Sequence, residues 1–427
     1  MGFHRYSEFI SESTLDQFLF EGGAFGHMAH PYDDPNLTFG EIKDLISDAL
    51  QGGLNKEVIP SEKLDGQAIA ISWKDGQLVA ARNKGHYRNG AVAAMSVQDV
   101  ITKFEGRGDL ADAFTFAVQD LESAISEINP ADREKIFKNG KSFMHLELIY
   151  PKSTNVINYD TPKLIFHSAT EYDEQGNAIG EDKESASTLT KLIKDVNADV
   201  QKNYEIDPPK AIEFSKNVNF ESDRAQFFKE LSKIQKSTGL KDNQNIGDYI
   251  RKQYTEMIEG AATKFGYDLA PNILDGLVNR FAFGDKSFRI PDIKKQITNK
   301  DFLKWALSFD KKSADYYKQV ISPFEILFLK LGVKVIQLAT GFLAVNPDKA
   351  VQTIKDELEI AIKQVKSSGS ESSIKKLEAQ LHKLEAIGGF DAVLPSEGIV
   401  FQHKGKTYKL TGAFAPVNQI LGIFRYA

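Results

Sequence analysis

The spacing of hydrophobic residues changes twice along the chain, and this change constrains the fold more than any other feature. Up to about residue 185, short runs such as 69–73 alternate, which is typical of half-buried strands. From there to about residue 390, apolar residues recur every three or four positions, as in amphipathic helices, and strands return near the end. We predict an α+β protein in which a large all-α insertion interrupts a core of antiparallel sheets. The predicted regions are 1–185, 186–390 and 391–427.

The composition is that of a globular protein. The chain has 427 residues, 41% hydrophobic and 26% charged, which is enough for two or three domains. It contains no cysteine. This excludes disulfides, thiolate zinc sites and cysteine nucleophiles, and it suits a reducing cytoplasm. Because the formal net charge is −6, a nucleic-acid partner would need a local basic patch.

No membrane partner is expected. Residues 1–6 lack the apolar core of a signal peptide. The most hydrophobic run, 321–345, is long enough to span a bilayer, but it carries Glu325, Lys330 and Lys334. The spacing of its polar residues predicts one polar stripe on an otherwise buried helix. The sequence leaves the oligomeric state open.

A lysine stands at the mouth of the first predicted strand, in the segment 62–66, Glu-Lys-Leu-Asp-Gly. An amine placed there could attack an electrophile once it loses its proton. Free lysine holds that proton up to a pKa of about 10.4, so burial or nearby cations must lower the pKa of Lys63 for this chemistry. The alternative is a turn with a surface lysine.

A hairpin follows, with Asp75-Gly76 as a type I′ turn. We expect the turn to bring Arg82 back beside Ile69, near Lys63. The basic, glycine-punctuated loop 82–90 is the type of segment that holds phosphates. A solvated basic turn is the alternative.

Two further strands carry candidate site residues. Glu147 is embedded in the nearly continuous apolar run 143–150, and a buried carboxylate needs a partner or a functional role. Phe166 lies in the next predicted strand, 164–170, and offers an aromatic plane.

The last predicted hairpin contains Glu397 and Lys409 around the dipeptide 404–405, Lys-Gly. A strict two-residue turn would put these two side chains on opposite faces. An odd-length loop or a bulge would put them on one face. We expect the second arrangement if both serve one site.

His27 and His30 in a glycine-bearing loop are possible metal ligands. The sequence near them supplies no further ligand cluster, so we expect loop residues that pack or contact substrate. Thr38 is predicted to cap a helix over 39–51 that Gly52-Gly53 ends.

Together these segments resemble the covalent nucleotidyltransferase superfamily, the polynucleotide ligases and mRNA capping enzymes, and most closely viral RNA-ligase-like proteins. Residues 63–66, Lys-Leu-Asp-Gly, are similar to motif I, and 397–401, Glu-Gly-Ile-Val-Phe, to motif IV. The weaker similarities are Arg82 to motif Ia, Glu147 to motif III, Phe166 to motif IIIa and 408–410, Tyr-Lys-Leu, to motif V.

The resemblance implies an ATP-grasp-like nucleotidyltransferase core that uses ATP with Mg²⁺ or Mn²⁺ to join RNA or DNA ends through lysyl-AMP. By the same resemblance each candidate residue has a role. Lys63 would be the nucleophile, Phe166 would stack on adenine, Glu62, Arg82 and Glu147 would bind the nucleotide, Lys409 would neutralise the α-phosphate, and Asp65 and Glu397 would serve the metal.

Three departures from the family pattern affect this interpretation. Thr411 stands where motif V usually has a second lysine, and Ala68 where DNA ligases usually have an arginine after motif I. We expect no C-terminal OB-fold. The last two departures favour an RNA ligase over a DNA ligase. The alternatives are a DNA ligase that uses the helical insertion as a clamp, and a non-catalytic nucleotide-binding or structural protein. The insertion would hold polynucleotide ends, or serve only packing or oligomerisation.

Overall fold

The structure is a computed structural model that describes residues 28–56, 59–153, 156–157, 159–182, 184–196, 203–343 and 347–426. It is an α+β protein with about 59% helix and with antiparallel and mixed sheets. The predicted class is therefore confirmed. His27 lies outside the described residues.

The strands form three sheets. In chain order they are β1 Ser61–Lys63, β2 Gln67–Lys74, β3 Gln77–Ala81, β4 Met95–Ser96, β5 Ser142–Ile149, β6 Lys163–Tyr172, β7 Ala178–Asp182, β8 Glu205–Asp207, β9 Glu213–Phe214, β10 Ala339–Thr340, β11 Gly398–His403 and β12 Lys406–Leu410. The largest sheet has the order β4-β3-β2-β5-β6-β7, with β8 parallel to β6, and the others are β1-β11-β12 and β10-β9.

Helices account for most of the remaining chain. They are α1 Phe39–Gln51, α2 Val97–Phe104, α3 Asp109–Ser126, α4 Pro130–Phe137, α5 Glu184–Val196, α6 Phe220–Thr238, α7 Ile246–Lys264, α8 Pro271–Phe283, α9 Ile290–Gln296, α10 Lys300–Asp310, α11 Ser313–Leu338, α12 Pro347–Ser368, α13 Glu371–Ala386 and α14 Phe414–Tyr426. Only two residues separate α10, which ends at Asp310, from α11, which begins at Ser313.

The described chain divides into two compact units. The helical unit comprises Ala29–Gly53 and Lys216–Leu331, and the sheet unit comprises Leu54–Ser215 and Gly332–Ala427. The sequence placed the boundaries at 185/186 and 390/391 instead. Residues 39–51 leave the predicted first region because the backbone of Phe39 donates to Gln244 O at 2.9 Å within the helical unit.

Local sequence signals explain where α1 begins and ends. The Thr38 hydroxyl accepts from Glu41 N, the Glu41 carboxylate accepts from Thr38 N, and Gly52 adopts a left-handed conformation at φ 75°. A capping box and a C-terminal glycine of this kind stop a helix at both ends. The prediction for this helix is confirmed.

The two faces of the largest sheet bury different side chains. One face, here the helix-covered face, packs Ile69, Ile71 and Leu146 with the rings of Phe104 and Phe114 from α2 and α3. The other, here the tyrosine face, buries a smaller cluster that includes Ala70, Ala81, Tyr87 and Phe143. Successive residues of a strand point to opposite faces, so this assignment decides which candidate residues can meet.

Among the helices of the described ranges, α11 included, none combines the length and the apolarity that a bilayer crossing requires.

Candidate active site around Lys63

The predicted nucleophile pairs with the predicted motif IV carboxylate. Strand β1 runs antiparallel to β11 with Lys63 opposite Gly398, which brings Glu397 beside the lysine. The Lys63 ammonium and the Glu397 carboxylate form a salt bridge in which the two side chains are only 24% and 12% exposed. An ion pair this withdrawn from water is screened far less than a surface pair.

The charges around Lys63 favour its protonated form. Burial lowers the pKa of the amine, but the carboxylates of Glu397, Glu147 and Asp65 outweigh burial, so the pKa of Lys63 is raised. Burial raises the pKa of Glu397 to about 7 although Lys63 acts against it. Both pKa values are raised, but for different reasons. At Lys63 the neighbouring carboxylates outweigh burial, whereas at Glu397 burial and the charges of Asp65 and Glu147 outweigh Lys63. The carboxylates around Lys63 therefore shift its pKa opposite to the lowering that an amine nucleophile needs near neutrality.

Gly66 allows strand β5 to approach the lysine segment. Its N–H donates to Glu147 Oε1 at 3.2 Å. A Cβ at Gly66 would lie 2.6 Å from Glu147 Cγ and 2.6 Å from Leu148 O. A residue with any side chain would thus displace the carboxylate or the strand. The glycine of the Lys-Leu-Asp-Gly segment holds Glu147 against the backbone that follows Lys63.

Asp65 holds a loop. Its Oδ2 accepts from the N–H groups of Val156 and Ile157 at 2.6 and 2.8 Å. Its own N–H donates to the Tyr159 hydroxyl at 3.1 Å. Asp65 is only 3% exposed, and its carboxylate accepts hydrogen bonds from backbone N–H groups. Such bonds stabilise the loop and leave the carboxylate little access to a metal ion. Of the two residues expected to serve a metal, Asp65 therefore fits that role poorly.

Glu62 points away from the site. It pairs with Ile399, so it lies on the opposite face of the three-stranded sheet from its neighbour Lys63. Its Oε2 accepts from Leu343 N at 2.6 Å, and its Oε1 has no hydrogen-bond partner in the described part of the chain. Burial raises the pKa of this carboxyl to about 7.

Lys409 lies on the lysine side of this sheet. Val400 pairs with both Ser61 and Lys409, so Lys409 shares a face with Lys63. The β11–β12 connection is a strict two-residue turn, because His403 pairs with Lys406 and no register shift follows. The expected odd-length loop or bulge is therefore wrong. Glu397 still reaches Lys63 because it precedes β11 and is not bound by the alternation of the strand.

Arg82 does not join the site. It follows Ala81, which lies on the tyrosine face, and its guanidinium stacks on Phe104 and Phe114 at 5.3 and 5.0 Å from the ring centres on the helix-covered face. Glu147 pairs with Ala68, two residues before Ala70, and so lies on the tyrosine face. The hairpin brings Arg82 back beside Ile69 as predicted, because Ala81 pairs with Ala70. The predicted joint role of Arg82 and Glu147 is wrong, since their side chains lie on opposite faces of the sheet.

Phe166 is also on the helix-covered face. It pairs with Leu146 and is fully buried in the large core, so its ring faces side chains of the protein and cannot stack on a nucleotide. A register shift in β5–β6 leaves the next residue, His167, without a partner in the ladder. The bulge turns its Nε2 to 3.6 Å from Glu147 Oε2. Nothing in the sequence marks this bulge, so sequence motifs alone do not identify His167 as a site residue.

The other candidate ligands give no metal cluster. In the described residues, no group of three or more His, Asp or Glu side chains could hold a metal ion. The ring of His30 stacks on Tyr32 at 4.7 Å, which is a packing role. Mg²⁺ commonly binds through one or two carboxylates together with substrate phosphates. Glu397 and Glu147 fit that mode better than a site formed by the protein alone.

The comparisons with known proteins add no assignment. The chain matches no protein-family model, no curated protein sequence and no solved structure.

The structure thus brings together Lys63, Glu397, Glu147 and Asp65 and places Lys409 on the same sheet face as the lysine. It separates Glu62, Arg82 and Phe166 from them. The site therefore consists of the partly buried Lys63 amine, which is hydrogen-bonded to Glu397 and also faces the carboxylates of Glu147 and Asp65. Such a set can hold a proton, transfer it and bind a cation.

Proposed function

We propose that the protein is an ATP-dependent polynucleotide ligase, similar to RNA ligases, that forms a covalent lysyl-AMP on Lys63. The buried ion pair of Lys63 with Glu397 carries the proposal. It joins the two segments with the most specific resemblance, and Glu147 adds the third. RNA or DNA ends are the proposed substrates, and a nucleotidyltransferase core is the proposed fold.

The ion pair supports a defined proton transfer. One proton of the Lys63 ammonium first passes to Glu397, whose pKa of about 7 suits a base near neutrality. The neutral amine then attacks the α-phosphorus of ATP, an N–P bond forms, and the bond from that phosphorus to the pyrophosphate oxygen breaks. The nitrogen loses its second proton to the leaving pyrophosphate, which leaves a neutral phosphoramidate nitrogen. A divalent cation, when bound by Glu397 or Glu147 with the phosphates, supplies charge neutralisation. Lys409 is proposed to add to it.

The proposal assigns Glu147 and His167 to the nucleotide. The half-exposed His167 ring stands beside the Glu147 carboxylate on the tyrosine face. A ring and an acceptor together could recognise the nucleoside part of ATP. We no longer propose Phe166, Arg82 or Glu62 for this role, because their side chains face elsewhere.

The test is covalent labelling by ATP that carries the label at its α-phosphate. The full-length protein should gain an acid-labile label that maps to Lys63, and Lys63→Arg should abolish it. Lys163→Arg is a matched control, because Lys163 is also a partly buried lysine, 19% exposed, in ion pairs with Glu205 and Asp207. The assignment is wrong if Lys63→Arg labels as the wild type does, or if the control loses its label.

One observation favours a second candidate, a nucleotide-binding protein without catalysis. The raised pKa of Lys63 keeps the amine protonated and unreactive in the absence of ligands. This candidate predicts saturable ATP binding, measured by calorimetry, with no covalent label at any Mg²⁺ or Mn²⁺ concentration. The same labelling experiment therefore separates the two functions.

A further inference from the structure

Two arginines share one aromatic ring on the helix-covered face of the large sheet. Arg82 lies over Phe104 at 5.3 Å and over Phe114 at 5.0 Å. Arg107, from the loop between α2 and α3, lies over Phe104 at 5.4 Å. The two phenylalanine rings stack at 3.8 Å with an angle of 7° and are fully buried. Both guanidinium groups therefore lie within cation–π distance of the same buried ring, that of Phe104.

Neither arginine has an acidic partner. No ion pair between residues of the described ranges includes Arg82 or Arg107. Burial and then the charge of Arg107 lower the pKa of Arg82, and no carboxylate opposes them. A partly buried charge beside a like charge costs free energy unless an anion compensates it. Within the described part of the chain, no carboxylate forms an ion pair that supplies such an anion to Arg82.

The surroundings add positive charge. Lys103 is exposed on the last turn of α2, and its charge, after burial, helps to lower the pKa of His86. Helix α3 begins next to Arg107 with Gly108 as its N-cap, and no side chain caps it. Gly106 and Gly108 have open space where a Cβ would stand, so a ligand can approach the loop backbone. The nearby carboxylates of 105, 109 and 112 are exposed and lie outside these contacts.

We propose that Arg82 and Arg107, with Lys103 at the rim, bind a backbone phosphate of a single-stranded polynucleotide. Guanidinium groups bind phosphate oxygens through paired donors, and contacts of cationic side chains with the backbone phosphates supply the sequence-independent part of single-strand binding. The site lies across the large sheet from Glu147, one of the carboxylates that face Lys63, so it positions the polynucleotide and does not touch ATP. This inference rests on the proposed ligase function, because that function supplies the polynucleotide.

The test measures the affinity of a fluorescently labelled single-stranded RNA for the full-length protein by anisotropy at several salt concentrations. Arg107→Gln should weaken binding about tenfold at low salt and reduce the slope of log affinity against log salt by about 0.7, the value for one phosphate contact with a single strand. Arg133→Gln is the matched control, because Arg133 also stacks on a ring, that of Trp73 at 4.8 Å, but donates to Ser126 O. Its affinity should equal that of the wild type.

A second readout reports on Lys103, the lysine at the rim of the proposed site, through His86. The proton NMR signal of His86 should titrate at higher pH when the RNA is bound, because the phosphate offsets the cationic charge that lowers its pKa. Arg107→Glu should weaken RNA binding more than Arg107→Gln. Wild-type affinity and salt slope in both variants would overturn the proposal, as would an unchanged His86 signal in saturated protein.

The outcomes separate this site from the ligase function. Labelling of Lys63 by ATP should be unchanged in Arg107→Gln, since Arg107 lies on the helix-covered face. If the wild type never labels but its RNA affinity depends on Arg107, the ligase proposal fails and the phosphate site stands. If labelling is normal and Arg107 has no effect on RNA binding, the reverse holds.

Discussion

The sheet unit contains two groups of charged residues that differ in how their charge is balanced. Around Lys63, a lysine meets three carboxylates in a packed setting, and each of two glycines there admits no side chain. Around Arg82, two guanidinium groups stand side by side without a carboxylate, beside a loop with open space. A charge that neighbouring side chains of opposite sign neutralise needs no further partner. A partly buried charge without such neighbours is stabilised when an ion of opposite sign binds. The contrast is the reason why we propose a phosphate ligand for the arginine pair and not for the residues around Lys63.

The largest expected effect is on stability, and it compares the tight packing near Lys63 with the open loop near Arg107. A Cβ at Gly398 would lie 2.1 Å from Leu410 O, whereas a Cβ at Gly106 would meet nothing. Gly398→Ala should lower the free energy of unfolding by roughly 3 kcal/mol because backbone must move. Gly106→Ala should lower it by about 1 kcal/mol, from its left-handed conformation alone. Urea denaturation measures both, and equal losses would contradict the contrast between a packed and an open site.

The next effect is a pH dependence that only the Lys63 side should show. Burial raises the pKa of Glu62 from 4.5 to about 7. The folded protein then binds a proton that the unfolded chain has already released, so this group destabilises the fold progressively as pH rises from about 4.5 to about 7. Above pH 7, Glu62→Gln should stabilise the protein by up to roughly 3 kcal/mol.

Unfolding by urea at a series of pH values checks this prediction. The wild-type slope should be reduced in Glu62→Gln and not abolished, because Glu397 titrates in the same window. Arg107→Gln, the control from the other group, should keep the wild-type slope. Equal slopes in the wild type and Glu62→Gln would show that the buried carboxyl is compensated after all.

A third prediction compares the removal of one cation from each group. Lys63→Met leaves Glu397, Asp65 and Glu147 without their cation and should cost about 2 kcal/mol of unfolding free energy, less than a fully buried pair. Arg82→Met removes an uncompensated charge and should change stability by less than about 0.5 kcal/mol. Because the pKa of Lys63 is raised, its contribution is fully present at pH 8 and is lost only as the pH rises through that pKa. Thermal unfolding at pH 8 is the measurement, and a larger loss in Arg82→Met would reverse the comparison.

The smallest effect distinguishes the structural role of Asp65 from its charge. Asp65→Asn keeps an acceptor oxygen for the N–H groups of Val156 and Ile157, and Asp65→Ala removes it. The alanine variant should be less stable than the asparagine variant by about 1 to 2 kcal/mol. Amide hydrogen exchange at 156 and 157 should accelerate in the alanine variant alone. Equal acceleration in both would show that the charge, and not the acceptor, holds the loop.

The errors in the predicted site have one physical origin. Neighbouring residues of a strand face opposite ways, so Glu62 and Lys63 could not both serve one face of β1. The same rule separates Arg82 from Glu147. For the last hairpin, the Lys-Gly dipeptide itself indicated a two-residue turn, which the structure has. The expectation of a bulge came from the assumed function and not from the residues.

Other features of the site had no signal in the sequence. The bulge that aims His167 at Glu147 depends on how β5 and β6 align, which is decided by the packing of Leu146 and Phe166 on the helix-covered face. The raised pKa of Lys63 depends on carboxylates from β5 and from the segment before β11. Such effects arise only when distant segments meet.

The sequence by itself determined the α+β class, the capped helix after Thr38, the Asp75-Gly76 hairpin and the pairing partners Lys63 and Glu397 as candidates. These follow from local periodicity, turn chemistry and residue type, which act within a few residues. Only the tertiary structure decided that residues 39–51 belong to the helical unit, that Arg82 and Phe166 lie across the large sheet from Glu147, and that carboxylates outweigh burial at the lysine. The physical reason is that burial and charge depend on neighbours that the fold brings from far along the chain.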